Sequence, residues 1–252
     1  LSKAVSAIGL WLYCWRKIPE TRLTCKDFKI SRPLVRQVFS YVSLTCIQQS
    51  VMNFGILMVQ GLVNSFGTSV MAAFTAAVKI DSFAYMPVQD FGNAFSTFTA
   101  QNYGAGKKER ILQGFKKAFW MTTLFCLLLS ALIFLTAPWL MQIFISSDEK
   151  EIIRIGVEYL RVEGSFYLGI GYLFLWYGFY RAICKPHLSI ILTILSLGTR
   201  VALAYFLASI PSIGVHGIWW SIPIGWALAD IYGQVYYWKK KQSLLAPPIV
   251  SQ

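Results

Sequence analysis

Three ionisable residues lie inside one long apolar stretch of this chain. Between Val70 and Thr99 the only formal charges are those of Lys79, Asp81 and Asp90. A charged side chain at the centre of a bilayer costs about 2.5–3.5 kcal/mol on insertion scales, so such residues are rarely kept without a task. The usual task is to bind an ion, a proton or a substrate. This pattern points away from a soluble enzyme and towards transport.

The charges on this stretch have competing interpretations. In a functional interpretation, Asp81 carries a proton or a cation, or balances the charge of a cationic cargo. In a structural interpretation, it forms a buried ion pair with a basic residue of another helix, such as Arg200. Lys79 and Asp81 are about 200° apart around a helix, so they do not face each other. Lys79 can instead line a cavity for anionic or zwitterionic cargo. Asp90 shares a helical stripe with Lys79 but is about 16 Å away along the axis. Because Asp90 follows Pro87 towards the cytoplasmic end, we expect it in a solvated vestibule rather than in a coupling role.

Polar and aromatic side chains in other apolar segments are further candidates. Gln48, Gln49 and Asn53 place amides in one such segment, and the last two share a helical face. These amides either line a cavity or hold helices together by hydrogen bonds worth about 0.6 kcal/mol each. A later segment is crowded with aromatic residues, among them Tyr172 and Trp176. They form either a wall for aromatic cations, through cation–π contacts of up to about 2 kcal/mol, or a packing surface for helices and lipid.

The sequence contains no constellation typical of enzymatic chemistry. The five cysteines have no CxxC spacing, so they indicate neither a disulfide framework nor a metal site. No phosphate-binding GxxxxGK[ST] loop, HExxH or GxSxG motif occurs. We therefore expect no enzymatic activity, no metal and no cofactor, and energy drawn from an ion gradient of H⁺ or Na⁺.

The composition indicates a polytopic membrane protein. The chain of 252 residues is 56% hydrophobic and only 13% charged, whereas soluble domains average about 25% charged residues. A net charge of +12 would suggest nucleic-acid binding in a soluble chain. Here the basic residues lie in short loops between apolar segments, which membrane topology and contact with anionic lipid explain better. The sequence thus predicts an all-α membrane bundle that contacts membrane lipids and binds no nucleic acid.

The apolar segments predict six full transmembrane helices. Residues 1–15 are too few for a span and are interpreted as the stub of a preceding transmembrane helix. Residues 16–37 form a basic cytoplasmic loop, residues 38–240 a six-helix lobe, and residues 241–252 a cytoplasmic tail. The predicted spans are Val38–Val63, Val70–Ala100, Phe115–Ile145, Tyr159–Tyr180, Leu188–Ala208 and Val215–Trp238.

The distribution of basic residues predicts the topology. Most of the 23 Lys and Arg residues lie in alternate loops: in residues 16–36, in residues 107–117, around Arg181 and at Lys239–Lys241. Cytoplasmic loops carry such an excess. Both ends of the six-helix block are therefore expected in the cytoplasm, with the protein integral to the plasma membrane.

The loop after the second predicted span resembles a known motif. Residues 101–110 read QNYGAGKKER, which resembles the QN-x-GAGK-x-ER loop of the multidrug and toxic compound extrusion (MATE) family. The resemblance covers essentially residues 1–240, because further segments are similar in the same order. These segments are residues 47–50 in the first span, residues 63–67 in the turn after it, Arg200 with its neighbours 197–201, and residues 217–226.

The resemblance implies that this chain is the C-terminal lobe of a twelve-helix exporter, which works with a second, N-terminal six-helix lobe. Family members export small organic cations and other amphipathic compounds by alternating access, against an inward flow of protons or sodium. Members with a sodium site in this lobe resemble one another in a seventh-helix glutamate and a tenth-helix aspartate. Here the seventh-helix region offers Gln48, Gln49 and Asn53, and residues 168–180 contain no acid. The sequence therefore favours the proton as the coupling ion.

Two other functions stay open at this stage. A lipid-linked saccharide flippase is a distant relative with a similar helix layout, and it would need a more cationic cavity than Lys79 and Arg200 alone provide. A non-transporting membrane scaffold would show no ion-dependent flux. The sequence does not identify the cargo.

Overall fold

The computed structural model describes residues 2–18 and 31–244, and within these ranges every regular element is a helix. This confirms the predicted all-α class. The helices are α1 (Ser2–Lys17), α2 (Arg32–Asn64), α3 (Thr68–Gly104), α4 (Lys108–Gln142), α5 (Lys150–Ser165), α6 (Tyr167–Ala182), α7 (Pro186–Ala208) and α8 (Val215–Leu244).

The chain divides into two compact units at Val42. The first unit contains α1 and the first turns of α2. Helix α2 begins at Arg32, so residues 32–37, which were predicted as loop, are helical. Pro33 is tolerated there because the N–H groups in the first turn of a helix have no partner within the helix. The rest of the predicted loop that follows Ile18 lies outside the described residues. Whether α1 is the stub of a longer helix stays a prediction.

The second unit contains the rest of α2 and helices α3 to α8. Among the described residues, three helices are long and apolar enough to cross a membrane: Val42–Asn64, Lys108–Gln142 and Pro186–Ala208. Helix α3 is longer than any of these, with 37 residues, but it carries three charges and several amides. The count of six spans therefore stays a prediction. Helix α8 continues to Leu244, past the predicted end at Trp238, because lysine is a good helix former.

The predicted fourth span, Tyr159–Tyr180, is interrupted and consists of two helices. Helix α5 ends at Ser165, helix α6 starts at Tyr167, and Phe166 between them has φ −112° and ψ 20°. The N–H of Phe166 bonds to the carbonyl of Glu163 at 3.0 Å, which is the tighter i to i−3 pattern. Interrupted backbone at membrane depth is tolerated where it is buried in protein or lines a cavity. Such discontinuous helices are where secondary transporters form their binding sites.

Helix α6 is the centre of the second unit. Its residues from Leu173 to Tyr180 are all buried, as expected of a helix that is apolar all round. Trp176 is 1% exposed, and its ring centroid lies 5.3 Å from those of Phe115 and Phe119 on α4. The Tyr180 hydroxyl donates to the backbone carbonyl of Gly233 on α8 at 2.7 Å. These contacts fix α6 against two neighbouring helices.

Glycines let the helices of this unit approach at the level of the backbone. A Cβ atom added to Gly178 would lie 2.6 Å from the carbonyl oxygen of Gly92, at the contact of α6 with α3. A Cβ atom added to Gly225 would lie 2.4 Å from the carbonyl oxygen of Ser196, at the contact of α8 with α7. Small residues at helix contacts are the main device for close packing inside membranes.

Candidate functional site

A cavity of about 350 Å³ lies within the second unit, between α2, α3 and α5 to α8. This volume falls in the range of about 300–1,000 Å³ that is usual for small-molecule sites. Most of the wall is apolar. Its ionisable groups come from four helices: Lys79, Asp81 and Tyr85 from α3, Tyr159 and Glu163 from α5, Tyr177 from α6 and Arg200 from α7.

Asp81 lies in the α3 wall of this cavity and is only 2% exposed. Its carboxylate accepts a hydrogen bond from the hydroxyl of Tyr167, the first residue of α6. The ion pairs among the described residues are those of Glu158 with Arg154 and with His216. Asp81 therefore has no direct salt bridge with Arg200, although Arg200 is near enough to act on it electrostatically.

Glu163 is the site residue that the sequence reasoning missed. It lies in the last turn of α5, is 3% exposed, lines the same cavity as Asp81, and is near enough to interact with the Asp81 carboxyl electrostatically. Its Oε2 atom has no hydrogen-bond partner in the described part of the chain. An acid was expected within residues 168–180, and Glu163 lies before them. Its position three residues before an aromatic run was the feature of the sequence that could have identified it.

The two carboxyl groups form one electrostatic unit, which we term the carboxyl pair (Asp81 and Glu163). Two adjacent ionised carboxylates repel each other strongly in a poorly solvated site, and one shared proton relieves that repulsion. Arg200 lowers the cost of the remaining negative charge, and its Nε atom is buried without a hydrogen-bond partner among the residues described. Lys79 adds a second positive charge at a more exposed point of the wall. The arrangement can hold and release a proton or a small cation.

The predicted aromatic candidates on α6 face away from the cavity. The hydroxyl of Tyr172 lies 2.8 Å from that of Thr123 on α4, and Trp176 is enclosed in the aromatic core. The helical repeat explains this, since residues 170, 173, 174 and 177 share one face of α6 and line the cavity. Phe174 and Tyr177 therefore form the aromatic part of this wall, and Tyr172 and Trp176 take the packing role that the sequence had left open for them.

The three predicted amides of α2 and Asp90 also lie outside this cavity, whereas Gln60 of α2 lines it. Gln49, Asn53 and Asp90 are exposed and none of them lines it. Gln48 is 7% exposed, and its Nε2 donates to Thr193 Oγ1 on α7 at 2.9 Å. For Gln48 the structure thus favours the interhelical hydrogen bond over a cavity-lining role.

A substitution of Gln48 should therefore have a small effect. Gln48→Leu removes the bond to Thr193, but Thr193 keeps its own bond to the Ser189 carbonyl at 2.9 Å. We expect a loss of less than about 1 kcal/mol, because interhelical hydrogen bonds in membranes average about 0.6 kcal/mol. Thermal denaturation of the purified full-length protein measures this loss. A variant of normal stability that has lost transport would show instead that Gln48 serves the cargo.

A further acid, the half-buried Asp230 on α8, was also not singled out from the sequence. A Cβ atom added to Gly169, in the first turn of α6, would lie 3.8 Å from Asp230 Oδ2 and 3.3 Å from Trp226 Cβ. The Oδ1 atom of Asp230 has no hydrogen-bond partner in the described residues. Asp230 thus lies near the start of α6, where a negative charge is favoured. Trp226, one turn earlier, lines the cavity.

The second unit is an apolar helical bundle in which an interrupted helix brings buried carboxyl groups to a cavity of small-molecule size. These features are typical of membrane transport proteins. Residues 44–206 match the model of the MatE family. The chain belongs to this family, as the loop at residues 101–110 had suggested.

Curated relatives and solved structures agree with this assignment. The chain is 27% identical over 184 residues to the probable multidrug resistance protein YoeA of Bacillus subtilis, which covers 71% of this chain and 39% of the relative. It is 24% identical over 176 residues to the probable multidrug resistance protein NorM of Thermotoga maritima, in an alignment that covers 69% of this chain and 38% of the relative. These alignments span well under two thirds of the relatives' lengths.

The fold matches solved transporters over nearly the whole chain. The structure of a MATE protein in complex with MaL6 superposes with a TM-score of 0.85 at 22% identity, over 95% of this chain and 54% of the other. A transporter of the MOP superfamily from Pyrococcus furiosus, described as having a binding pocket of reverse polarity, superposes with a TM-score of 0.85 at 22% identity. That match covers 96% of this chain and 55% of the other. The chain thus has the fold of about half of each transporter.

Proposed function

We propose that this chain is one lobe of a secondary multidrug exporter that couples inward proton flow to the export of amphipathic or cationic compounds. The observation that carries this proposal is the carboxyl pair, buried at the cavity wall and contacted by Tyr167 at the start of the interrupted helix. The names of the curated relatives support multidrug resistance as the setting.

The carboxyl pair gives the chain a means of alternating between two states. With one proton bound, the pair carries one negative charge, which Arg200 faces. Loss of that proton adds a second negative charge, which favours a cationic cargo beside the aromatic wall of Phe174 and Tyr177. A proton and a cation then compete for the same negative charge. Such competition, with different affinities in the two states, is what drives an exchange cycle.

The proton fits this site better than sodium because the two ions need different numbers of ligands. A bound Na⁺ needs several oxygen ligands, and Lys79 and Arg200, which line the same cavity, have no acceptor atom to offer it. A proton joins a carboxyl oxygen covalently and needs no further ligands. The described residues therefore provide the groups that proton coupling needs.

Transport by alternating access needs a second six-helix lobe facing this one. We propose that the remaining part of the full-length protein supplies it, since the solved relatives are about twice as long as the matched region. We also place the protein in the plasma membrane with both ends of the six-helix block in the cytoplasm, on the distribution of Lys and Arg.

Dye efflux from energised vesicles containing the full-length protein tests the coupling ion. We expect efflux to stop when the proton gradient is collapsed and to continue when the sodium gradient is collapsed. In Glu163→Gln, which keeps the size of the side chain but can no longer ionise, we expect efflux to lose its dependence on the proton gradient.

The same assay contains the outcomes that contradict this proposal. Efflux that depends on sodium alone would assign the carboxyl pair to Na⁺. Transport of anionic but not cationic dyes would make Lys79 and Arg200 the cargo-binding groups and favour an anionic cargo, such as a lipid-linked saccharide. No flux of any dye would leave a scaffold role.

A further inference from the structure

Two adjoining cavities form a continuous groove between α3 and α4, separate from the central cavity. Their volumes are about 460 and 230 Å³. They share Phe91 and Met121 in their walls, and no residue of either lines the central cavity. We term the combined space the α3–α4 groove.

The groove has an apolar floor of well-defined depth. From Phe98 to Pro87 on α3 it extends over 11 residue steps, which is about 16 Å of helix. The hydrocarbon core of a bilayer is about 30 Å thick, so one leaflet is about 15 Å deep. On α4 the lining extends further, from Arg110 to Phe125, which is about 22 Å of helix. The groove therefore spans about one leaflet and part of the headgroup region. Its walls are mostly aromatic and aliphatic, except where Arg110, Gln113 and Lys117 line it.

The turn between α3 and α4 sets the shape of the groove. Gly106 has φ 66°, a backbone conformation that glycine adopts at no steric cost, and the turn returns the chain so that α4 runs beside α3. A Cβ atom added to Gly114 on α4 would lie 2.2 Å from Phe98 Cε1. The ring of Phe98 therefore lies directly against α4 and closes that part of the wall.

Positive charge is concentrated at one end of the groove. Arg110, Gln113 and Lys117 line it, and their spacing places them on one stripe of α4 that continues to Met121. Arg110 and Lys117 are exposed and take part in none of the ion pairs formed within the described residues. An apolar groove of one leaflet's depth therefore ends at two basic side chains without acidic partners.

We propose that the α3–α4 groove binds one anionic phospholipid, with an acyl chain along Phe91 and Met121 and the phosphate at Arg110 and Lys117. The groove matches both the acyl chain and the phosphate of such a lipid. Free phosphate would leave the apolar floor uncovered, and an uncharged lipid would leave the two basic side chains without a counter-charge. Basic pockets between transmembrane helices on the cytoplasmic side are where such headgroups bind. The proposal does not depend on the identity of the exported compound.

Lipid binding to the purified full-length protein, measured by native mass spectrometry in detergent, tests this site. The probes are phosphatidylglycerol and phosphatidylcholine with identical acyl chains. We expect preferential retention of phosphatidylglycerol, and about 30-fold weaker binding in Arg110→Gln/Lys117→Gln, since each basic side chain at an anionic surface contributes about fivefold. The control is Lys107→Gln/Lys116→Gln, which removes the same charge from exposed positions outside the groove and should bind normally.

A second variant tests the apolar part of the site. Ala94 is exposed and lines the groove, so Ala94→Trp should fill the space without disturbing the core. We expect this variant to lose phosphatidylglycerol while keeping its melting temperature within a few degrees. Equal retention of the two lipids, equal losses in both charge variants, or normal binding by Ala94→Trp would each overturn the proposal.

Discussion

The Asp81→Asn substitution is expected to abolish concentrative efflux while leaving the protein folded. Asparagine has nearly the same shape as aspartate, and its Oδ1 can still accept the hydrogen bond that Tyr167 donates to Asp81. What it loses is the ability to bind and release a proton. The cavity therefore keeps its shape, but export is no longer linked to the gradient.

The size of this effect follows from the exchange of one proton for one cation. Such an exchange moves no net charge, so the cargo ratio at steady state equals the proton ratio, which is about tenfold for a difference of one pH unit. A variant that no longer couples should lose that ratio and only equilibrate the dye across the membrane. Measuring steady-state dye ratios at a set pH difference and zero membrane potential gives this number directly.

Asp90→Asn is the matched control for this experiment. Asp90 lies on the same helix and undergoes the same chemical change, but it is exposed and does not line the central cavity. We expect near-normal efflux from Asp90→Asn. Equal losses in both variants would show that the effect is not specific to Asp81, and normal efflux from Asp81→Asn would make Asp81 a structural residue.

The second large effect is expected on stability, from Gly225→Ala. The new methyl group would lie 2.4 Å from the carbonyl oxygen of Ser196, and neither backbone can yield without moving α7 away from α8. Overpacking of this kind costs typically 1–3 kcal/mol. For a chain of this size each kcal/mol lowers the melting temperature by about 2–4 °C, so we expect a fall of roughly 2–12 °C.

Gly198→Ala provides the comparison for the glycine substitution. It introduces the same methyl group on α7, but at a position where nothing lies within 4 Å of the added atom. Alanine is the better helix former by up to about 1 kcal/mol, so stability should stay equal or rise slightly. Melting curves of the two purified full-length variants make the test. A similar fall in both would mean that the contact between α7 and α8 is not the cause.

The sequence was sufficient where a single rare feature carried the information. A carboxylate in the middle of an apolar stretch is rarely kept without a task, so Asp81 could be predicted to lie in the interior, although Asp90 in the same stretch is exposed. Gln48 and its neighbours were harder, because an amide that holds two helices together and one that faces a cavity have the same spacing along one helix. Only the position of Thr193 on α7 distinguishes the two.

The interruption of the fourth segment explains the remaining differences. Hydropathy averages over many residues, so one tightened turn at Phe166 leaves no trace in it, and the segment was interpreted as one continuous span. Glu163 lies just before the bend, outside the residues 168–180 in which an acid was expected. The aromatic pattern of the segment also does not tell which of its rings line a cavity. The rotation of α6, which presents Phe174 and Tyr177 instead of Tyr172 and Trp176, is set by tertiary contacts with α4 and α8.

The turn at Phe166 also determines how a local change at the site can spread. A continuous helix would carry a tilt of its outer half directly to its inner half, and with it to the aromatic residues around Trp176. Here the two halves are joined by a bend with i to i−3 hydrogen bonds, so the regular helical hydrogen-bond pattern is broken between them. Glu163 lies before the bend and Tyr167 after it. The Asp81 carboxyl therefore lies beside the joint of α5 and α6, where a change in its charge would act on both halves.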